Sequence, residues 1–560
     1  MKTLFNFRAL LVVASGLLAA PTMQAQSNLG QDCGCPPVAS RPTVLMSTLA
    51  VNGGASDGDL TATNTILTCD KTYILDKKIY VPGGKSITIN PGTVIKGRNL
   101  STGNASALIV QRDAKIFASG TSNCQIVFTA ENDPMDGTYA VANRGQWGGL
   151  VILGNATNNL VAGNTYCAGT TGVGFIEGYL AADSRNLYGK PAGQTDDNDN
   201  SGILRYVSVR HAGDIVAVGN ELNGISMGSV GRGTIMDHIE VISCDDDAIE
   251  WFGGTVNMKY GIALFSNDDM FDYDLGWSGK AQFMFGLMAD SLTTPTADNG
   301  VEADGDDNKS NALPRSHPKF YNMTLIGNRS RNNAADNSAH AALNLKEFTE
   351  GEFYNSIFSN FRIGANFVKS LGTRTGGCEA YHNWFTPAIG SCNAGSLVVS
   401  CNTLIDNRYA VTTGVSNATA GSGATLALAA DNTKFGNDGN IIHTTANAVP
   451  GFDYSFAMNT STNAVTDKYN PIPSPSLATS CSAPNDGFFT PANYRGAFEA
   501  GKKSWMSDWS VQTILRNNTN NALQSITLGL LPCPTDINGD GLTNNVDFLQ
   551  LLGQFNQNCQ

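Results

Sequence analysis

The chain has 560 residues and a net charge of −13, with only 15% of its residues charged. That balance argues against nucleic acid or an anionic membrane as partner and is compatible with divalent cations, although a solvated acidic surface accounts for it equally well. Its 60 glycines and abundant asparagine suit a β-rich exported protein whose many turns need positive φ or side-chain-capped corners.

Residues 1–25 read as a secretory signal peptide. Lys2 and Arg8 supply the positive end, Ala9 to Ala20 the apolar core, and Met23-Gln24-Ala25 a small-residue cleavage site. The apolar run is too short to span a bilayer and no later stretch is long enough, so no transmembrane segment is expected. Localisation is therefore read as secreted, extracellular or attached to the cell surface. Twelve cysteines, an even number in an exported chain, are consistent with disulfides. Cys33-Gly34-Cys35 lacks the CxxC spacing of a redox or zinc site, and six scattered histidines form no zinc constellation.

Residues 26–58 form a leader with Pro36-Pro37 and Pro42. From Lys71 onward, short alternating apolar runs broken by glycine and asparagine corners predict strands, and residues 59–470 read as one repetitive body. The stretch from Asn223 to Asp290 shows the repeat most clearly. Asp247 returns as Asp269 and Gly254 returns as Gly279, a period in the low twenties with strands inside it. Such a period is the signature of a β-solenoid, whose coils must stack because none buries its inner face alone. Residues 155–200, ending in TDDNDNSG, and Asp298 to Pro314 read as insertions on that scaffold.

Stacking decides where the acids fall. Asp245, Asp246 and Asp247 occupy one corner and Asp268 and Asp269 the equivalent corner of the next coil, with rungs roughly 4.8 Å apart. Carboxylates that close raise one another's pKa unless a cation or hydrogen bonds compensate. Three readings follow: structural capping of backbone groups, calcium or glycan binding, and catalysis. In the catalytic reading Asp246, Asp247 and Asp269 are the working carboxylates and Lys280, or Lys259, the basic group. Trp251, Tyr273 and Trp277 either stack on sugar faces or fill the coil. Asp272 and Asp274 alternate with Phe271 and Tyr273, so one set faces outward. The chain contains no P-loop, GxSxG or HExxH motif, and GSVGRG at 228–233 reads as a solenoid corner.

Residues 471–531 concentrate aromatics outside the coil pattern and read as an end cap or linker, or as a glycan-binding patch. In residues 532–560, Asp536, Asn538, Asp540, Asn544 and Asp547 stand at positions 1, 3, 5, 9 and 12 of a calcium loop. Gly541 takes the sharp turn, the Leu542 carbonyl completes the set, and Val546, Leu549, Leu552 and Phe555 continue as a short amphipathic helix. Cys533 and Cys559 bracket the unit and are placed to close it as a disulfide.

This loop and helix resemble one repeat of a dockerin, which implies calcium binding and a cohesin-like or surface partner. The phrases INPGTVIKG, QWGGLVILGNA, SGILRYVSVRHAG, DDAIEWFGGTVN and YRGAF are similar to those of the right-handed parallel β-helix, pectin-lyase-like superfamily, close to uncharacterised secreted bacterial members. The resemblance implies an all-β, right-handed parallel β-helix followed by a small α calcium-loop module, with Ca²⁺ as cofactor. It implies an extracellular protein that engages polysaccharide or a surface glycan, or forms part of a matrix. The alternative is a calcium-assisted polysaccharide lyase or glycoside hydrolase on the Asp245–Asp274 ledge. CDDDAIEW resembles the paired aspartates of polygalacturonases, although their His-Gly and Arg-Ile-Lys motifs are absent.

Overall fold

The computed structural model describes residues 33–510, apart from 53–56, 101–104, 218–219, 289–298, 306–311, 329–339, 370–378, 386–393, 414–428, 446–447, 455–456, 460, 462–463, 468–469 and 507–508. Residues 1–25, read as a signal peptide, the Asp536–Asp547 loop, Cys533 and Cys559 lie outside the described residues.

The body is all-β, a right-handed parallel β-helix. Its strands form a 19-stranded sheet and a 12-stranded sheet. The strands run parallel throughout the stack, save the pairing of Ala50–Asn52 with Asp57–Leu60. Each coil gives one short strand to the 12-stranded sheet and then bends into the longer sheet. The long-sheet strands Gly202–Arg210, Ile235–Ile242 and Asn257–Leu264 fold over a left-handed residue: Tyr206, His238 and Tyr260 sit at φ 49°, 56° and 56°. Non-glycine residues tolerate that conformation when the surroundings repay its strain. Here their rings stack, Tyr206 on His238 and His238 on Tyr260, with centroids 4.4 Å apart in both pairs.

The interior is a stack of apolar and aromatic side chains. Trp251 lies parallel to Trp277 at 4.4 Å, Trp277 meets Phe320 at 5.6 Å, and Phe320 stacks on Phe353 at 5.3 Å. Coil equivalence differs from the sequence reading at one point. Register pairs Phe252 with Asp274, which makes Gly276, not Gly279, the counterpart of Gly254. Both take the positive φ that the corner requires, 89° and 87°. Gly279 lies beyond it, before the strand Lys280–Gln282.

Three further readings change. The coil begins in the leader, since Thr43–Leu45 already stacks on Thr72–Ile74. The 155–200 insertion carries a three-stranded antiparallel sheet of Cys167–Thr170, Val173–Phe175 and Leu187–Gly189. Within Asp298 to Pro314, Val301–Ala303 is a rung of the short sheet.

Residues 470–510 run along the flank of the stack, not across its end. The outer surface of the long sheet carries Ile242, Ile262, Leu264, Phe285, Ile326 and Ile357, and Ile472, Phe498, Met506 and Trp509 bury it. Polar contacts repeat along the segment: Asn322 Nδ2 donates to Tyr494 O at 2.8 Å, Arg495 to Asn402 O at 2.8 Å, and Gln125 Nε2 to Trp509 O at 2.9 Å. Disulfides Cys33–Cys124 and Cys35–Cys69 close the first coils, and Cys401–Cys481 ties this flanking segment to the stack. Among the described residues no helix is long and apolar enough to cross a membrane.

Candidate metal centre

The acids lie on the outward face and N-terminal corner of the short sheet. At the corner, Asp269 N donates to Asp247 Oδ1 at 2.9 Å, Asn299 N donates to Asp269 Oδ1, and Ala341 N donates to Asn299 Oδ1 at 3.0 Å. This ladder is the capping role foreseen for such positions: each side chain accepts the amide of the next coil. It uses one oxygen each of Asp247 and Asp269.

Three residues on, the strands carry a second column. Register stacks Ser226, Glu250, Asp272, Glu302, Asn344 and Asn366. Their inward neighbours Trp251 and Tyr273 fill the core, so strand alternation points this column outward. Two residues further, Asp274 and Asp304 extend the acidic face, and Lys346 joins it from the following coil. The Lys346 ammonium lies 2.8 Å from Glu302 and 3.1 Å from Asp304.

Corner and column combine into three groups whose ligand atoms lie within 4.8 Å of one another: Asp246–Asp247–Asp268, Asp247–Glu250–Asp272 and Asp269–Asp272–Glu302. That span matches the roughly 4.6–5.2 Å between oxygens across a calcium ion with bonds of about 2.3–2.6 Å. All donors are oxygen, which suits a hard cation and not zinc.

These acids are withdrawn from water. Asp247, Glu250, Asp269, Asp274 and Asp304 are each at most 7% exposed. Burial pushes the Asp247 carboxyl well above the usual range, and the Asp246 and Asp268 charges push it further. Glu250 is raised by burial and then by Glu177 and Asp272. Burial, Asp247 and Glu302 raise Asp272, against a smaller opposing pull from Lys346. Burial opposes the Lys346 ammonium, but Asp304 and Glu302 outweigh it and hold its pKa well above that of ordinary lysine. Asp272 Oδ1 is buried without a hydrogen-bond partner, an orphan of the kind that an ion satisfies.

The structure thus brings Asp246, Asp247 and Asp269 together and separates the other candidates from them. Lys280 stands on the long sheet, its ammonium 2.5 Å from Asp486 of the flanking segment. Lys259, on the same sheet, donates to Thr490 Oγ1 at 2.9 Å. Trp251, Tyr273 and Trp277 are fully buried in the core and present no ring face to a sugar. The physical reason is alternation and coil closure: Trp251 and Tyr273 occupy inward positions between outward acids, and Trp277 follows the corner inward. Glu250, Glu302, Asp304 and Lys346 were missed in the sequence. For Glu250 and Glu302 the signal was a recurring Asx-x-x-acid pattern, Asp247…Glu250, Asp269…Asp272 and Asn299…Glu302; Asp304 and Lys346 lie outside it.

The family model described as a pectate-lyase-like β-helix domain matches residues 58–427. No curated protein and no solved structure matched the chain. With more than half its length matched and its coils stacked in parallel register, the chain belongs to the pectate-lyase-like β-helix domain family.

Proposed function

We propose that this is an extracellular, calcium-binding β-helix protein that engages polysaccharide as a surface or matrix component without turning it over. The observation that carries the calcium reading is the row Asp247, Glu250, Asp269, Asp272 and Glu302, largely withdrawn from water, with the Lys346 ammonium beside Glu302. Buried like charges persist only when protonated or matched by a cation. When bound, calcium supplies charge neutralisation to this row, and the coil residues supply its oxygens. The polysaccharide reading rests on the family. Export is supported by the three disulfides among the described residues and by residues 1–25. The Asp536–Asp547 loop adds a second calcium site in this reading and the attachment point for a cohesin-like or surface partner.

A lyase needs a basic group beside the acids. Lys280 is ion-paired on another sheet, and Lys346 is held protonated by Asp304 and Glu302. The second reading, a calcium-assisted lyase or hydrolase at the same row, keeps one support: adjacent carboxyls with raised pKa values are the arrangement from which general acids are built. Incubating the mature protein with a polysaccharide panel, with and without calcium, separates the two. Calcium-dependent retention without unsaturated product or new reducing ends is expected. Product formation that disappears in Asp272→Asn moves the assignment to the enzyme, and neither retention nor product removes the polysaccharide reading.

A further inference from the structure

The acidic row repeats one motif on two consecutive coils, and the two copies are compensated unequally. In the second copy, Asp269–Asp272–Glu302, both Glu302 oxygens are already satisfied. Glu302 Oε1 accepts from Asn299 Nδ2 at 3.3 Å and Asn344 Nδ2 at 3.2 Å, and Oε2 faces the Lys346 ammonium at 2.8 Å. Past it the column turns neutral, Asn366 Nδ2 donating to Asn344 Oδ1 at 3.0 Å and Thr412 Oγ1 to Asn366 Oδ1 at 2.7 Å.

The first copy, Asp247–Glu250–Asp272, has no such closure. Among the described residues no lysine or arginine pairs with any of the three; Asp247 receives one backbone amide and Glu250 one amide group, that of Asn223. Two buried oxygens there have no partner, Asp272 Oδ1 and Asn223 Oδ1. Asn223 is only 1% exposed, and its amide stands at Glu250 and Ser226. A half-turn of that amide keeps its shape and brings the oxygen to the carboxylates. Three carboxylates and one amide oxygen, none of them ion-paired to a lysine or arginine among the described residues, form an unfinished oxygen cage for a hard divalent ion.

We propose that the row takes one divalent cation, at Asp247–Glu250–Asp272 with Asn223 beside it, and that Lys346 is the resident counter-ion that keeps Asp269–Asp272–Glu302 from taking a second. Lysine suits the role because its ammonium is a compact point charge that displaces an ion without reproducing its ligand shell. The proposal rests on the calcium reading of the row and adds its stoichiometry and its selector.

The test is calcium stoichiometry by native mass spectrometry and calorimetry on the full mature chain. Asp536→Ala and Asp540→Ala are introduced together so that the C-terminal loop contributes nothing. The expected count is one for this background, none for Glu250→Gln, and one for Glu302→Gln. Lys346→Met is expected to raise it to two. Should that variant fail to fold, the two glutamine variants, close in shape to the native side chains, still separate the copies. A count of two in the background, an unchanged count in folded Lys346→Met, or loss of the ion in Glu302→Gln with retention in Glu250→Gln overturns the proposal and leaves the calcium reading standing. A count of zero overturns both.

Discussion

The outer faces of the two sheets solve the same problem in opposite ways. Both are the outward backs of stacked parallel strands, and both carry charged side chains in register. On the long sheet Lys280 pairs with Asp486 at 2.5 Å and Lys319 with Glu352 at 2.6 Å, and a segment of the chain lies over the apolar remainder. On the short sheet, among the described residues, Lys346 is the ammonium paired with the acidic row, at Glu302 and Asp304, and burial drives the pKa values of Asp247, Glu250 and Asp272 upward. A solenoid stacks identical positions directly on one another, so a charged position that recurs becomes a column of like charge. The long sheet sets opposite signs in register at Arg205, Asp237 and Lys259 and again at Lys319 and Glu352; the short sheet stacks Glu250, Asp272 and Glu302 in succession and so creates a demand for a cation.

The largest effect on this comparison comes from the core that holds both faces apart. Trp251→Ala removes a fully buried ring stacked on Trp277 at 4.4 Å. It should cost about 3–5 kcal/mol in chemical denaturation. A small loss would mean that the ring is not part of the packed interior.

On the long-sheet side, Cys401→Ser frees the flanking segment from the stack. The expected loss is about 2–4 kcal/mol, with cleavage within 470–510 preceding that of the coils in limited proteolysis. Simultaneous cleavage of both would show that the polar contacts alone hold the segment.

On the short-sheet side the comparison sharpens with pH. Asp247, Glu250, Asp272 and Asp304 bind their protons more tightly in the folded chain, chiefly because of burial. Unfolded carboxyls titrate near 4. Above that pH the folded chain therefore carries more protons than the unfolded one, and stability falls as pH rises from about 4 through the raised values. Lys346, shifted upward, titrates beyond this window. In chelator the protein should melt at a higher temperature at pH 5 than at pH 8, and calcium should shrink the gap. The reverse order would contradict the burial of the row.

The smallest effect belongs to a paired, partly exposed charge. Lys280 and Asp486 have side chains 29% and 30% exposed. Lys280→Ala should change stability by at most about 1 kcal/mol and leave calcium binding unchanged. Loss of calcium binding would restore Lys280 to the site.

Much of this was legible in the residues. The recurrence of Asp247 at Asp269 gives the stacking, and the structure pairs those two positions through a backbone amide. Alternation in Phe271-Asp272-Tyr273-Asp274 gives the outward acids. The rest was hidden by insertions. Glu302 and Lys346 belong to the same face as Glu250, but the segments between their rungs differ in length, and a fixed period does not reach them. The Gly254–Gly279 pairing failed for a related reason, since a corner that continues past Gly276 places a second glycine close to the expected spacing. Trp251 and Trp277 show a different limit. Aromatic identity does not tell an inward position from an outward one; register with neighbouring rungs does.

The central claim is that the short-sheet row is completed by calcium. Its most direct test is thermal unfolding of the mature chain carrying Asp536→Ala and Asp540→Ala, titrated with calcium and repeated with Asp272→Asn. At free calcium about 100-fold above its dissociation constant the parent should gain about 2.7 kcal/mol. The variant should show no calcium response and should melt higher than the parent in chelator, because one of the repelling carboxylates is gone. A parent whose melting temperature ignores calcium, or a variant that responds as the parent does, contradicts the account.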